Sequence, residues 1–132
     1  MGDSLEILIL DDESIVGQRL RSALEKEGYN VEVFVRSNEA ATRLEEKTFD
    51  IVVTDIRMEG MDGIQLLEKV KLRSPETKVI IITGYASMDL AREAASKGAF
   101  DFIAKPFRIG TMRDKIMKAA KALENERATV RN

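Results

Sequence analysis

Asp11, Asp12, Asp55, Thr83 and Lys105 are the residues whose types and placing point to chemistry in this chain. Asp11 and Asp12 close the apolar run Leu5 to Leu10, and Asp55 closes the run Ile51 to Thr54. Thr83-Gly84 ends a third run that starts at Val79, and Lys105-Pro106 follows Phe102 to Ala104. Adjacent acids at the end of an apolar segment repel one another and call for a nearby cation, and clustered carboxylate oxygens prefer a hard one. A hydroxyl and an ammonium beside them suit phosphoryl oxygens. The chain has no Cys and no His, so thiolate nucleophiles, zinc-thiolate sites, disulfides and imidazole bases are all excluded.

Each residue also has an ordinary reading. Asp11 or Asp12 would serve as a helix cap or turn residue, and Asp55 alone would serve as a loop cap. Thr83 would finish a strand as a β-branched residue, and Lys105 would be a solvated loop charge. Gly84 favours the functional reading, because a missing side chain lets a bulky anion approach the backbone. Pro106 fits a tight turn, and base rates favour a trans bond over a cis one there. The combination of the five, rather than any one of them, carries the argument.

Elements must bring these residues together. Runs at Leu5 to Leu10, Val31 to Val35, Ile51 to Thr54, Val79 to Thr83 and Phe102 to Ala104 read as strands. Most are almost continuously apolar, as strands are when helices cover both faces. Val31 to Val35 alternates weakly around Glu32 and is expected nearer an edge. Helical spacing links Val16, Leu20, Ala23 and Leu24, with Gly28 at the C-cap. Ser37 or Asn38 is expected to cap a second helix through Ala41 and Leu44. Ile64, Leu67 and Val70 mark a third, stopped by Ser74-Pro75. Ser87 is expected to cap a fourth through Ala91, Ala94 and Ala95 to Gly98. Ile109, Met112, Ile116, Ala119 and Leu123 form the stripe of a fifth. Strict βα alternation predicts an α/β, flavodoxin-like (βα)5 parallel sheet in the order 2-1-3-4-5. In such sheets ligands bind beyond the carboxyl ends of the strands, which is where the five residues fall.

Composition agrees. The 132 residues fit one domain with a single core, 44% of them hydrophobic and 33% charged. A net charge of -2, with mixed signs, gives no basic field for nucleic acid or an anionic membrane. No apolar run approaches the ~20 residues of a membrane span, and Met1-Gly2-Asp3 does not open a signal peptide. The expectation is a soluble, cytoplasmic protein.

Five motifs then carry a resemblance: Ile7-Leu8-Ile9-Leu10-Asp11-Asp12-Glu13, Val52-Val53-Thr54-Asp55-Ile56-Arg57-Met58, Met61-Asp62-Gly63, Ile82-Thr83-Gly84-Tyr85-Ala86 and Lys105-Pro106-Phe107. In this order and spacing, Leu5 to Leu123 resembles the receiver domain of two-component response regulators. The stretches around Asp55 and Thr83 look most like receivers of nitrogen-regulation and dicarboxylate-transport transcription activators. Residues 1–123 would form the receiver, and 124–132 a polar tail, frayed helix end or linker start.

The resemblance implies roles. Asp55 would be the phosphoacceptor, and Mg²⁺ would be bound by Asp12, Asp55 and the backbone carbonyl of Arg57, with Asp11 helping through water. Lys105 would contact the phosphoryl oxygens. Thr83 would move toward the phosphoryl group, and Phe102, which by pattern alone reads as core, would swing inward with it. Arg57 and Tyr85 would govern how water reaches the acyl phosphate. The phosphoryl source would be a sensor histidine kinase, and the output a domain or effector controlling transcription through the helix-four, strand-five, helix-five face. Pairing of two copies through helices four and five is one expectation. Catalysis would extend only to the chain's own phosphoryl transfer and dephosphorylation. Glu59 departs from the family pattern, which often has Pro there. It should leave that loop less rigid and add a negative charge at the mouth of the site.

Three other readings compete. An aspartyl-nucleophile phosphatase or phosphotransferase commonly has a second Asp two residues on, where this chain has Arg57. A flavodoxin-like cofactor module would need a Gly/Ser/Thr-rich first loop, not Asp11-Asp12. A degenerate receiver acting only as a scaffold would not need all five residues. A stand-alone regulator and a piece of a longer one both remain open.

Overall fold

The computed structural model describes residues 4–57, 61–84 and 88–131, apart from the side chains of Met88, Val130 and Arg131. Five strands, β1 (Glu6–Leu10), β2 (Asn30–Phe34), β3 (Ile51–Asp55), β4 (Lys78–Thr83) and β5 (Asp101–Ala104), alternate with five helices. These are α1 (Ser14–Lys26), α2 (Ser37–Glu46), α3 (Gly63–Arg73), α4 (Met88–Ser96) and α5 (Ile109–Arg131). The strands form one parallel sheet in the order β2-β1-β3-β4-β5, as the alternation predicts. β2 lies at one edge, in keeping with its weaker apolar pattern.

The central strands are continuously apolar over Ile7–Leu10, Ile51–Val53 and Val79–Ile82 because both faces are covered there. On one face Ile7, Ile9, Val53, Ile80 and Ile82 pack with Leu20 and Leu24 of α1 and Met112, Ile116 and Ala119 of α5. On the other, Leu8, Leu10, Val52 and Ile81 meet Leu44 of α2, Leu66 and Leu67 of α3, and Ala94 of α4. Two helices therefore close one face and three the other. The helix ends follow local chemistry. Gly28 and Gly98 follow α1 and α4 at φ of +94° and +104°, a left-handed conformation that favours glycine. α3 is opened by a capping box in which Asp62 accepts from the Gln65 N–H and Gln65 accepts from the Asp62 N–H.

Several expectations need correction. Neither Ser37 nor Asn38 caps α2: Arg36 holds the cap position, and Ser37 is a buried first-turn residue whose Oγ accepts from the Met61 N–H. Tertiary contact has overruled capping preference there. The α2 stripe is Ala40 and Leu44, with Ala41 only half-buried, and Ala95 of α4 is exposed while Ala91 and Ala94 are buried. Phe102 is not core but 40% exposed, on β5 at the edge of the sheet. The Lys105–Pro106 bond is cis, so the base-rate preference for trans, worth only about 0.5–1 kcal/mol, does not decide it. Ser87, Glu59 and Tyr85, expected to cap α4, loosen a loop and flank the site, lie outside the described residues. The polar segment after Leu123 continues α5 as helix to Arg131. None of the helices among the described residues is long and apolar enough to cross a membrane.

Candidate functional site

Parallel strands deliver their carboxyl ends to one edge, and β1, β3 and β4 deliver theirs side by side. Leu10 pairs with Thr54, and Asp55 with Ile82, so Asp11 and Asp55 leave adjacent strands at the same level. Backbone hydrogen bonds continue the ladder past the strands: Asp11 N donates to Phe34 O, Ile56 N to Ile82 O, and Lys105 N to Thr83 O. The residues that follow each strand are thus held by the sheet and not by free loops.

Gly63 fixes the far side of this edge. A Cβ there would stand 2.7 Å from both the Asp55 carbonyl oxygen and the Ile56 Cα, closer than any side chain tolerates. The start of α3 can therefore lie directly against the backbone that carries Asp55, and Gly63 N donates to Ile56 O at 2.9 Å.

Carboxylate oxygens of Asp11, Asp12 and Asp55 come within 4.8 Å of one another. Asp11 is fully buried, Asp55 nearly so, and Asp12 exposed. Lys105 Nζ lies among them, donating to Asp11 Oδ1 and Asp55 Oδ2, both at 3.1 Å, and to Glu13 Oε1 at 2.5 Å. Asp55 Oδ1 accepts from the Arg57 N–H at 3.1 Å, so both of its oxygens are oriented. Thr83 is buried, and its hydroxyl donates to the Gly84 carbonyl at 2.9 Å. The structure thus brings Asp11, Asp12, Asp55 and Lys105 together. Thr83 joins them through its backbone, while Phe102 sits on β5 with its ring exposed.

The electrostatics are lopsided. Burial raises the Asp11 pKa above its ordinary value, more than the Glu13 N–H and Lys105 lower it. Glu13 is shifted the other way, held low by its hydrogen bond to Lys105. Burial works against the Lys105 ammonium, but Glu13, Asp11 and Asp55 outweigh it and make that ammonium harder to deprotonate. Asp11 Oδ2 lies 3.0 Å from Nζ, yet it is buried and, among the described residues, accepts no hydrogen bond. A buried carboxylate oxygen that meets the Lys105 ammonium as an ion pair only, beside two further carboxylates, belongs to a donor set for a hard cation. The residues present therefore fit a metal ion.

Glu13 is the member that sequence reasoning missed. Its signal was a third acid directly after Asp11-Asp12, but nothing in the sequence tied it to a lysine 92 positions away.

Comparison with known proteins bears on the same edge. Residues 7–117 match the family described as response regulator receiver domain. The C4-dicarboxylate transport transcriptional regulatory protein DctD of Rhizobium meliloti is 33% identical over 130 residues, covering 98% of this chain and 27% of that protein. The chain thus spans about a quarter of that relative's length. A CheY-like receiver domain from Methanospirillum hungatei superposes with a TM-score of 0.89 at 32% identity, over 94% of this chain and 99% of that one. The beryllofluoride-activated NtrC4 receiver domain dimer gives 0.78 at 33% identity, over 91% and 97%. Fold, motif order and matched span agree: the chain belongs to the response regulator receiver domain family.

Proposed function

We propose that this chain is a phosphorylation-activated switch of a two-component system, taking a phosphoryl group on Asp55. The observation that carries the reading is the Asp11, Asp12, Asp55 cluster with Lys105 bonded to two of its members.

Asp55 is the nucleophile. Its carboxylate forms a bond to phosphorus while the bond from phosphorus to the donor nitrogen breaks, and the donor imidazole leaves. The donor is a phosphohistidine on a sensor kinase, and this chain, with no His, cannot supply it. Arg57 N and Lys105 Nζ hold the two carboxylate oxygens of Asp55, which limits the search for an in-line approach. Mg²⁺ is the metal we assign: Asp12, Asp55 and the Arg57 carbonyl would hold it, with Asp11 helping through water, and it would neutralise charge on the phosphoryl oxygens.

The phosphoryl group adds roughly -1.5 to -2 charge and several strong acceptors. Lys105 turns to those oxygens, and the Thr83 hydroxyl gives up the Gly84 carbonyl to donate to them. Phe102, exposed on β5, follows inward, so that the α4-β5-α5 face shifts between two packings. That face addresses an output domain or effector, with control of transcription as the output. The dimeric NtrC4 receiver supports pairing of two such chains. We place the reaction in the cytoplasm, and limit catalysis to the chain's own phosphorylation and dephosphorylation.

Intact-mass measurement after incubation with acetyl phosphate and Mg²⁺ tests this. One phosphoryl adduct is expected, absent with a chelator and absent in Asp55→Asn. An adduct that persists in Asp55→Asn would move the acceptor elsewhere.

A further inference from the structure

Glu13 occupies the N-cap position of α1, with extended backbone at φ -89° and ψ 100°. Short side chains such as Asp or Ser accept from the first-turn N–H groups there, whereas Glu is not among the preferred caps. The Glu13 side chain makes no such cap and reaches across the edge to Lys105 instead, at 2.5 Å, shorter than that lysine's hydrogen bonds to Asp11 and Asp55. Its backbone is fixed for this, because Glu13 N donates to Asp11 Oδ1 at 2.9 Å and its carbonyl accepts from Val16 N at 3.0 Å.

The three partners of Lys105 among the described residues are not equivalent. Asp11 and Asp55 belong to the carboxylate cluster that fits a cation, and Asp55 is the group to be phosphorylated. Glu13 lies outside that cluster, and its side chain is 59% exposed. A metal ion would offset the charge of Asp11 and Asp55, and acyl phosphate formation consumes the Asp55 carboxylate, but Glu13, outside the cluster, keeps its charge unmatched by either. An ammonium has three protons, and here each is directed to a carboxylate. An incoming phosphoryl group must therefore displace a partner to gain Lys105.

We propose that Glu13 is a positioning residue that competes with the phosphoryl group for Lys105 and so biases the switch toward its unphosphorylated state. The inference rests on the reading of Asp55 as acceptor. By linkage, an anion that pairs with Lys105 better before phosphorylation than after it weakens the phosphorylated form by the same factor.

The test uses beryllofluoride with Mg²⁺ as the phosphoryl analogue, titrated into the full chain by calorimetry. Glu13→Gln keeps the shape and removes the charge, and it is expected to tighten binding roughly two- to fivefold, the worth of one partly exposed ion pair. In a Lys105→Met background the same substitution is expected to have no effect, which a general field or a helix-capping role would not reproduce. If Lys105→Met binds too weakly to titrate, the ¹⁵N signal of the Lys105 ammonium before ligand decides: it should broaden or shift on Glu13→Gln. Unchanged affinity in Glu13→Gln, an equal gain without Lys105, or an unmoved ammonium signal would overturn the proposal. Failure of the underlying reading looks different: no beryllofluoride binding by the native chain, or binding retained in Asp55→Asn.

Discussion

The two ends of the sheet both gather half-buried charges, yet they differ in how those charges are matched. At the amino end, Arg127 Nη2 meets Asp50 at 2.6 Å and Glu76 at 3.1 Å, and Lys78 meets Glu126 at 2.5 Å. Asp50 also accepts from the Glu6 N–H, and the buried Thr77 hydroxyl donates to the Phe49 carbonyl. Acids and bases there alternate and answer one another. At the carboxyl end, Asp11, Asp12, Glu13 and Asp55 face Lys105 alone among the described residues, and Asp11 Oδ2 accepts no hydrogen bond. Burial of charge is thus common to both ends. What marks a site is surplus charge of one sign with an unsatisfied oxygen.

Substitutions can break that contrast. Lys105→Met should have the largest effect: it removes the ammonium that pairs with Asp11 and Asp55 and is expected to slow phosphoryl uptake about 100-fold by adduct mass against time. Gly63→Ala should come next, costing about 1–3 kcal/mol in urea unfolding and displacing the Asp55 backbone, because its Cβ has no room. Thr77→Val leaves the Phe49 carbonyl without its donor at the amino end and should cost about 1–2 kcal/mol. It should leave the adduct rate unchanged. Arg127→Ala, at a partly exposed cluster, should cost no more than about 1 kcal/mol, a loss that high salt largely hides.

The pH dependence sharpens the same contrast. Asp11 has a folded pKa above its unfolded one, mainly through burial, so the folded state binds more protons between the two values. In metal-free buffer, its contribution therefore makes stability fall as pH rises from the ordinary carboxylate range through the raised value. Asp11→Asn should remove that slope in urea midpoints measured across pH, while weakening the binding of Mg²⁺.

Much of this was legible in the sequence because apolar burial leaves a periodic trace. Ile7 to Leu10, Ile51 to Val53 and Val79 to Ile82 are continuous because helices cover both faces, and that placed Asp11, Asp55 and Thr83 at one edge. Features set by single long-range contacts were not legible. Ser37 has the composition of a cap, but it is spent on the Met61 N–H 24 residues away. The segment after Leu123 reads as polar tail, frayed helix end or linker start, and the pairing of Glu126 and Arg127 with Lys78, Asp50 and Glu76 at the strand ends is something no local pattern records. Phe102 has a core residue's chemistry, yet it stands partly exposed on an edge strand. Glu13 shows the same limit inside the site.

The most direct measurement is a crystal structure of the chain with Mg²⁺ and beryllofluoride. The account predicts the metal on Asp12 and Asp55, the beryllium on an Asp55 carboxylate oxygen, and Lys105 Nζ turned from Glu13 to the fluorides. A metal bound away from Asp11, Asp12 and Asp55, or a beryllofluoride group on another residue, would contradict it.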